Sequence, residues 1–255
     1  MPLLLDYLAL LRLRYHLPFS TVVVTAFVFG TLPPAITALR LAALFFSFCL
    51  CLYGALYTIN GIADRKLDAI HPRKKDRPLA AGRISPQAAW IFVALLLITA
   101  FTTAWLWFGP RVLALYVLFV TVNLVYSYVI KRIPYVEIVG NAITHPLRML
   151  LGVAIGAGTI LPLLVSAYFF LSIGFSAMRR VLEKENGEKA GRPVLRLYTL
   201  HDLRLVNVIV SVALLLHLFV AWPVENGWFV LFFVAHVIVA FIAPESRVVR
   251  WVVGG

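Results

Sequence analysis

The chain has 255 residues, of which 62% are apolar and only 13% are charged. This composition excludes an ordinary soluble domain and is typical of a helical protein that crosses the membrane several times. The net charge of +12 is more typical of basic loops facing anionic lipid than of nucleic-acid binding, so we expect membrane lipid and no nucleic acid among the partners.

The apolar residues form about eight continuous runs, each close to the roughly 20 residues that span the hydrocarbon core. Because the runs are continuous rather than alternating, they predict helices and exclude β-sheet as the main element. We expect an all-α polytopic membrane bundle of about eight transmembrane helices around a central cavity, in one integral domain over residues 1–255. The predicted spans are 17–36, 40–58, 87–108, 112–130, 134–158, 160–178, 205–222 and 227–243.

Basic residues are concentrated in alternate connections, which the positive-inside rule assigns to the cytoplasm. Loops 59–86 and 179–204 are long and basic, whereas connections 156–162 and 223–227 contain no Lys or Arg. We therefore expect both termini and both long loops on the cytoplasmic side, with the loops capping the cavity. Residues 1–16 lack the small-residue cleavage pattern of a signal peptide, so we expect them to remain in the mature protein.

The second predicted span ends in three side chains with oxygen ligands, Asn60, Asp64 and Asp68. A step of four residues turns about 400° and rises about 6 Å, so they share one slowly drifting helical face. Carboxylates at this spacing can hold Mg²⁺ and, through it, the oxygens of a phosphate ester, whereas the alternative is an ordinary helix end with solvated acids. The basic residues that follow or interleave are Arg65, Lys66, Arg73, Lys74, Lys75, Arg77 and Arg83. An acidic face within a basic loop at a membrane surface predicts a site for a diphosphate.

Residues 71–85 continue from Asp68 and read HPRKKDRPLAAGRIS. Pro72 and Pro78 predict that residues 71–78 are not one helix, and helix is expected to resume after Pro86. Together with the acidic spacing before it, this stretch resembles the first signature of the UbiA superfamily of intramembrane prenyltransferases, in which the Arg-Pro pair and the glycine also fit. Weaker likeness covers most of the chain and includes Arg12, Arg14, Tyr126, Tyr128 and Lys131.

The UbiA resemblance implies a helical bundle, often of about nine spans, whose cavity opens to a prokaryotic plasma membrane. It implies transfer of an isoprenyl group from a prenyl diphosphate to a lipid-soluble or membrane-surface acceptor, with Mg²⁺ as the cofactor and pyrophosphate released. Asp64 and Asp68 would be catalytic and hold the metal, with Asn60 as a further metal ligand or a substrate contact. Mg²⁺ and basic side chains would stabilise the leaving pyrophosphate. Arg77 and Lys131 are the predicted contacts to its oxygens, Lys131 also in a catalytic role.

Arg148 lies inside the fifth predicted span, where a charged side chain costs at least about 2.5–3.5 kcal/mol. We expect it to face a cavity and bind substrate, with a purely structural role as the alternative. Glu137 precedes it by about three helical turns, roughly 16 Å, which is too far for direct pairing. Tyr128 is near Lys131 on the helix face and is expected to contact substrate, although interfacial tyrosines usually anchor a helix.

The connection after the sixth predicted span departs from the family pattern. UbiA-like prenyltransferases usually carry a second aspartate-rich motif there, whereas this chain reads Arg179-Arg180-x-x-Glu183. One interpretation is a local ion pair. The other is that Arg179 or Arg180 replaces a metal's charge on the donor, with Glu183 orienting it and all three at the substrate.

The same Arg-Arg-x-x-Glu pattern is similar to the branch of the superfamily that transfers phosphoribose from phosphoribosyl diphosphate to a polyprenyl phosphate. That reaction is therefore the alternative function. A third hypothesis is a non-catalytic transporter or lipid-binding membrane protein, because intramembrane charge is compatible with both. The close spacing of Gly152, Gly156 and Gly158 predicts helix packing rather than cofactor binding.

Overall fold

The computed structural model describes residues 2–13, 16–72, 74–185, 193–221, 226–242 and 246. Within these ranges the chain forms helices joined by short connections and contains no β-strand, which confirms the predicted all-α class. Predicted features at Arg14, Arg73 and residues 186–192 lie outside the described ranges. The helices are α1 (Pro2–Leu10), α2 (Phe19–Val28), α3 (Pro34–Leu44), α4 (Gly54–Ala69), α5 (Pro86–Thr103), α6 (Pro110–Tyr128), α7 (Val136–Ile155), α8 (Pro162–Glu185), α9 (Leu200–Val220) and α10 (Asn226–Val237).

Short π-helical stretches continue three of these helices. Phe45–Tyr53 joins α3 to α4, Ala104–Phe108 extends α5, and Ile238–Ile242 extends α10. In the described ranges, six helical segments are long and apolar enough to cross a membrane. Two shorter apolar helices, Phe19–Val28 and Gly227–Ile242, match the first and last predicted spans. The six are Pro34–Ala69, Pro86–Phe108, Pro110–Arg132, Val136–Ile155, Pro162–Glu185 and Leu200–Val220. Each predicted apolar run therefore corresponds to a helix.

The boundary between the first two predicted spans was wrong. The first helix ends at Val28, and the second begins at Pro34, several residues earlier than predicted. Pro33 has an extended backbone and Pro34 occupies the first helical turn, where its fixed φ suits a helix and its missing N–H is not needed. The two prolines therefore separate the helices.

The C-terminal end of α8 is also longer than predicted. Arg179, Arg180 and Glu183 lie on this helix and not in a loop beginning at residue 179, because α8 continues to Glu185. An apolar cluster continues beyond the predicted span 160–178 and packs against the last turns of α8. Its buried members include Met178, Val181, Leu182, Val194, Tyr198 and Leu203.

The chain divides into two compact units. The first comprises residues 1–124 and 148–159, and the second comprises residues 125–147 and 160–255. In the first unit, α1 packs on the α4–α5 connection and on the start of α5. The buried residues of that contact are Leu10, Leu79, Ile84 and Ala89. In the second unit, α8 packs against both α9 and α10.

The α4–α5 connection is a series of turns, as its prolines predicted. The Ser85 hydroxyl accepts a hydrogen bond from the Ala88 backbone N–H at 3.2 Å, and Pro86 occupies the first helical position, so α5 begins where the sequence predicted. Gly82 has a φ of +73°, and a Cβ there would meet no atom within 4 Å. The left-handed backbone, rather than lack of space, therefore favours glycine at this position.

Close backbone contact joins α2 to the end of α7 within the first unit. A Cβ on Gly156 would lie 2.5 Å from the Ala26 carbonyl oxygen and 2.8 Å from the Gly30 Cα. The Thr31 N–H also donates to the Gly156 carbonyl oxygen at 2.9 Å. These contacts confirm the predicted packing role of the glycines.

We expect Gly156→Ala to lower the free energy of unfolding by about 1–3 kcal/mol, because the added methyl group meets backbone atoms that cannot rotate away. Thermal unfolding in detergent would measure this as a lower Tm. Gly227→Ala is the matched control, since a Cβ there meets nothing within 4 Å. Equal Tm values for the two variants would contradict the packing role.

Candidate functional site

Helix α4 carries the three side chains predicted to bind metal. Asn60, Asp64 and Asp68 all lie within Gly54–Ala69, which continues without a break beyond the apolar run. Asn60 and Asp64 are partly exposed, whereas Asp68 is only 4% exposed. We call these three residues the acidic face of α4.

Two cations from the following connection contact Asp68. Arg77 Nη1 donates to Asp68 Oδ2 at 2.7 Å, and Lys74 Nζ lies 3.9 Å from Oδ1. Turns fix the arginine, because its N–H donates to the Lys74 carbonyl oxygen at 3.1 Å and its own carbonyl accepts from the Ala81 N–H at 2.8 Å. The result is a charge-assisted hydrogen bond at the C-terminal end of a membrane-length helix.

Arg83 holds the same connection to α1. Its Nε donates to the two carboxylate oxygens of Asp6 at 2.9 and 3.1 Å, and its Nη2 donates to the Asp76 carbonyl oxygen at 2.9 Å. The ring of Tyr7 also packs edge-on against Phe92 of α5 at 4.9 Å between centroids. The N-terminal helix thus covers the segment that positions Arg77.

The donor set of the acidic face fits magnesium. Mg²⁺ prefers oxygen ligands and is commonly held by one or two carboxylates together with waters and substrate phosphate oxygens. Asp64 and Asp68 supply two carboxylates one helical turn apart, and Asn60 adds an amide oxygen. In the described ranges, no three His, Cys, Asp or Glu side chains are grouped as a metal cage. The chemistry of these three donors suits Mg²⁺, and metal binding by them stays a prediction.

Arg148 lines a small cavity in the first unit. Its guanidinium lies 5.5 Å from the ring centroids of both Tyr53 and Phe119, and Nη2 donates to the Tyr53 hydroxyl. The cavity has a volume of about 10 Å³, which is room for about one water molecule. Its lining consists of His16, Pro18, Phe19, Phe48, Cys49, Tyr53 and Arg148. Arg148 therefore lies beside a water-sized void, and its position in a substrate cavity and its binding of substrate both stay predictions.

The second unit contains a buried ion-pair network at the end of α8. Arg180 is 1% exposed and binds Glu137 through a fork, with Nε to Oε1 at 2.6 Å and Nη2 to Oε2 at 2.8 Å. Its Nη1 donates to both carboxylate oxygens of Glu183 at 3.2 and 3.1 Å. Arg179 Nε donates to Glu183 Oε1 at 3.1 Å. The local ion pair considered from sequence is therefore present, together with a partner from α7.

Tyr198 completes this network from the connection before α9. Its hydroxyl donates to Glu137 Oε1 at 3.0 Å and accepts from the Tyr135 backbone N–H at 3.0 Å. Burial, and then the negative charge of Glu137, raise the pKa of the Tyr198 phenol. The phenol therefore keeps its proton at neutral pH and acts as a donor to the carboxylate.

The remaining predicted residues lie on the α6–α7 side of the second unit. Tyr128 is the last residue of α6 and is 53% exposed, which also suits an interfacial anchor. Lys131 lies in a 3₁₀ turn, Ile130–Arg132, and is partly buried. Substrate contacts by Tyr128 and Lys131 stay predictions.

Sequence reasoning missed Glu137 and Tyr198 as members of a buried network. The sequence could have pointed to Glu137, because an ionisable residue in an apolar segment needs a partner. Only Arg148 was considered as that partner, on the same helix. The partner is Arg180, 43 positions away in the chain.

Comparison with protein families identifies the chain. The model of the UbiA prenyltransferase family matches residues 17–252. The chain belongs to the UbiA prenyltransferase family. With six membrane-length helices among the residues that the structure describes, it is an integral membrane protein.

Two curated relatives illustrate the range of UbiA transferases that this chain is similar to. It is 29% identical over 170 residues to decaprenyl-phosphate phosphoribosyltransferase of Mycobacterium tuberculosis, covering 64% of this chain and 54% of that one. It is 26% identical over 174 residues to 4-hydroxybenzoate octaprenyltransferase of Shewanella putrefaciens, covering 66% of this chain and 60% of that one. The chain thus spans between half and two thirds of these relatives.

Solved UbiA structures share the fold. A UbiA homolog from Archaeoglobus fulgidus bound to GPP and Mg²⁺ matches with a TM-score of 0.75 and 23% identity, covering 98% of this chain and 94% of that one. A second structure of that homolog, bound to DMAPP and Mg²⁺, matches with a TM-score of 0.74. The helical architecture is therefore that of the UbiA family.

We expect the Asp68–Arg77 pair to contribute a coupling free energy of about 1 kcal/mol, reduced from that of a fully buried pair because Arg77 is partly exposed. A double-mutant cycle with Asp68→Asn and Arg77→Gln, followed by thermal unfolding, would measure it. Lys75→Gln is the control, since Lys75 is an exposed cation of the same connection. Additive effects of the two changes would show that the pair is not coupled.

Proposed function

We propose that the chain is a Mg²⁺-dependent membrane transferase in which the acidic face of α4 binds the diphosphate of a donor substrate. The observation that carries this proposal is the buried Asp68 carboxylate beside the Arg77 guanidinium, at the end of a membrane-length helix. A carboxylate suits a divalent metal, and a guanidinium suits phosphate oxygens. A metal-bound diphosphate offers a cation to the Asp68 carboxylate and phosphate oxygens to the Arg77 guanidinium.

Donor binding would exchange partners within the Asp68–Arg77 pair. The carboxylate would turn from the guanidinium to the metal, and the guanidinium would turn to a diphosphate oxygen, so both charges keep a counter-charge. Asp64 would provide the second carboxylate, and Asn60 an amide oxygen one turn deeper. When bound, Mg²⁺ stabilises the charge of the leaving pyrophosphate. Lys74, already near Asp68, would add positive charge beside the same leaving group.

As the reaction, we propose phosphoribosyl transfer from phosphoribosyl diphosphate to a polyprenyl phosphate. An oxygen of the lipid phosphate would bond to C1 of the ribose while the C1–O bond to the diphosphate breaks, and pyrophosphate would leave with the bonding electrons. Two observations support this donor over the isoprenyl donor expected first. The chain is 29% identical to the mycobacterial phosphoribosyltransferase and 26% identical to the octaprenyltransferase, and α8 carries Arg179, Arg180 and Glu183 in place of a second acidic pair.

Both substrates of this reaction carry phosphate groups besides the reacting diphosphate. The donor has a phosphate on its ribose, and the acceptor has its own. We assign contact with such a phosphate to Arg179, which is 37% exposed, and to Lys131. Arg180 is surrounded by carboxylates, so its assigned role is to hold Glu183 rather than to touch substrate.

Isoprenyl transfer to a lipid-soluble acceptor is the second candidate. It is supported by the octaprenyltransferase relative at 26% identity and by the shared fold of a homolog bound to GPP and Mg²⁺. It would use the same acidic face and release the same pyrophosphate. For either reaction, we propose a prokaryotic plasma membrane with the termini and the α4–α5 connection on the cytoplasmic side, as the basic loops indicate.

The donor is tested with purified protein in liposomes. Labelled phosphoribosyl diphosphate with polyprenyl phosphate, and labelled geranyl diphosphate with a phenolic acceptor, are supplied separately with Mg²⁺. We expect labelled lipid and released pyrophosphate only from the sugar donor. Product from geranyl diphosphate alone would overturn phosphoribosyl transfer and favour the second candidate. No pyrophosphate from either donor would favour the transporter or lipid-binding hypothesis.

We expect Asp64→Asn to lower kcat for pyrophosphate release by roughly 100-fold or more, because it removes a carboxylate from the metal. Higher Mg²⁺ should recover part of the activity if the remaining ligands still bind weakly. Asp76→Asn is the matched control, as it removes one exposed carboxylate from the same region without touching the acidic face. Unchanged turnover in Asp64→Asn would refute the assigned metal site.

A further inference from the structure

A single carboxylate lies at the centre of the buried network in the second unit. Glu137 is 0% exposed and occupies the first turn of α7, where an acid is stabilised by the helix dipole. Its two oxygens accept from Arg180 at 2.6 and 2.8 Å, and they also accept from Tyr198 at 3.0 Å and Tyr126 at 3.3 Å. One side chain thus joins α6, α7, α8 and the connection before α9.

Packing alone does not explain such a group. Removing two charges from water is expensive, and a buried ion pair is often no more stabilising than apolar residues of the same volume. A forked guanidinium–carboxylate pair does fix the relative orientation of the two side chains, because two parallel hydrogen bonds set the plane of both groups. A role in geometry therefore accounts for the pair better than a role in stability.

The first branch of the network leads to Arg179. Each nitrogen of the Arg180 guanidinium donates to a carboxylate, two of them to Glu137 and the third to Glu183. Glu183 in turn accepts from Arg179 Nε at 3.1 Å. The orientation of the partly exposed Arg179 is thereby linked to Glu137 through two intervening side chains.

The second branch leads to the connection that carries Lys131. Tyr198 donates to Glu137 and accepts from the Tyr135 N–H, both at 3.0 Å. Tyr135 has a φ of +63°, a left-handed conformation that a non-glycine residue keeps only when its surroundings hold it. The Tyr198 ring packs edge-on against the Tyr135 ring at 5.2 Å, which adds to that hold. The short segment from Lys131 to Tyr135 is therefore held in place at Tyr135.

We infer that Glu137 is a positioning residue that holds Arg179 and Lys131 in place for a phosphate group of a substrate. This inference rests on the proposed function, which assigns phosphate contact to those two cations. The phosphate belongs to the sugar donor or to the lipid acceptor, and separate KM values for the two substrates distinguish these sources. Glu137 itself touches no substrate in this assignment.

Tyr198→Phe tests the inference without breaking the Glu137–Arg180 pair. We expect KM for one phosphate-bearing substrate to rise about fivefold, the equivalent of one lost hydrogen bond, with kcat within about twofold. Tyr116→Phe is the matched control, because it also removes one buried phenol hydroxyl, hydrogen-bonded to Ser47 at 2.7 Å, outside this network. The Mg²⁺ concentration for half-maximal rate should stay unchanged in both variants, unlike in Asp64→Asn.

Glu137→Gln should raise the same KM further, by about tenfold or more, since it loosens both branches. Tyr198→Phe keeps the test decisive if this second variant does not fold. Unchanged KM values for both substrates in Tyr198→Phe, at a Tm equal to that of Tyr116→Phe, would overturn the positioning role while wild-type turnover leaves the proposed function intact. Absence of Mg²⁺-dependent pyrophosphate release in the wild type would instead remove the proposed function, and this inference with it.

Discussion

Burying a charged side chain in a membrane protein is costly unless a favourable partner lies beside it, and this constraint organises both units. In the first unit, the buried Asp68 meets Arg77 at 2.7 Å. In the second, Glu137 meets Arg180 at 2.6 Å. Each contact ties the end of a membrane-length helix to another part of the same unit. These ion pairs therefore fix charged side chains at the helix ends and also lower the cost of burying them.

The two pairs serve different purposes in our interpretation. Asp68 and Arg77 can each find a new partner in a metal diphosphate, so their contact is exchangeable. Arg180 is enclosed by Glu137 and Glu183, and an exchange there would strand buried charge. The first pair suits substrate binding and the second suits a fixed framework. This contrast is why the assigned substrate contacts in the second unit are Arg179 and Lys131 and not the more deeply buried arginine.

Sequence reasoning succeeded wherever the determinants were local. The spacing of Asn60, Asp64 and Asp68 placed them on one helix because helical geometry depends only on neighbouring residues. The start of α5 followed from Ser85 and Pro86 for the same reason. The family likewise followed from one continuous stretch of motif. Apolar run length predicted a helix for each span, since hydrocarbon thickness sets that length.

Prediction failed where distant residues decide the outcome. The end of α8 was placed too early because the apolar cluster that extends it includes Val194 and Tyr198, which follow in a separate segment. The partner of Glu137 could not be found by helical spacing, since Arg180 belongs to another helix. The donor class depends on cavity shape and on such non-local contacts, so composition and periodicity carry no information about it.

The docking of α1 has a practical consequence for work with this protein. Leu10 covers Leu79 and Ile84, and Asp6 holds Arg83, so the first helix is part of the support for the segment that presents Arg77. An affinity tag or fusion partner attached directly before α1 would disturb these contacts. Fusions of this kind should therefore be separated from α1 by a flexible spacer, so that α1 keeps its contacts with Leu79, Ile84 and Arg83.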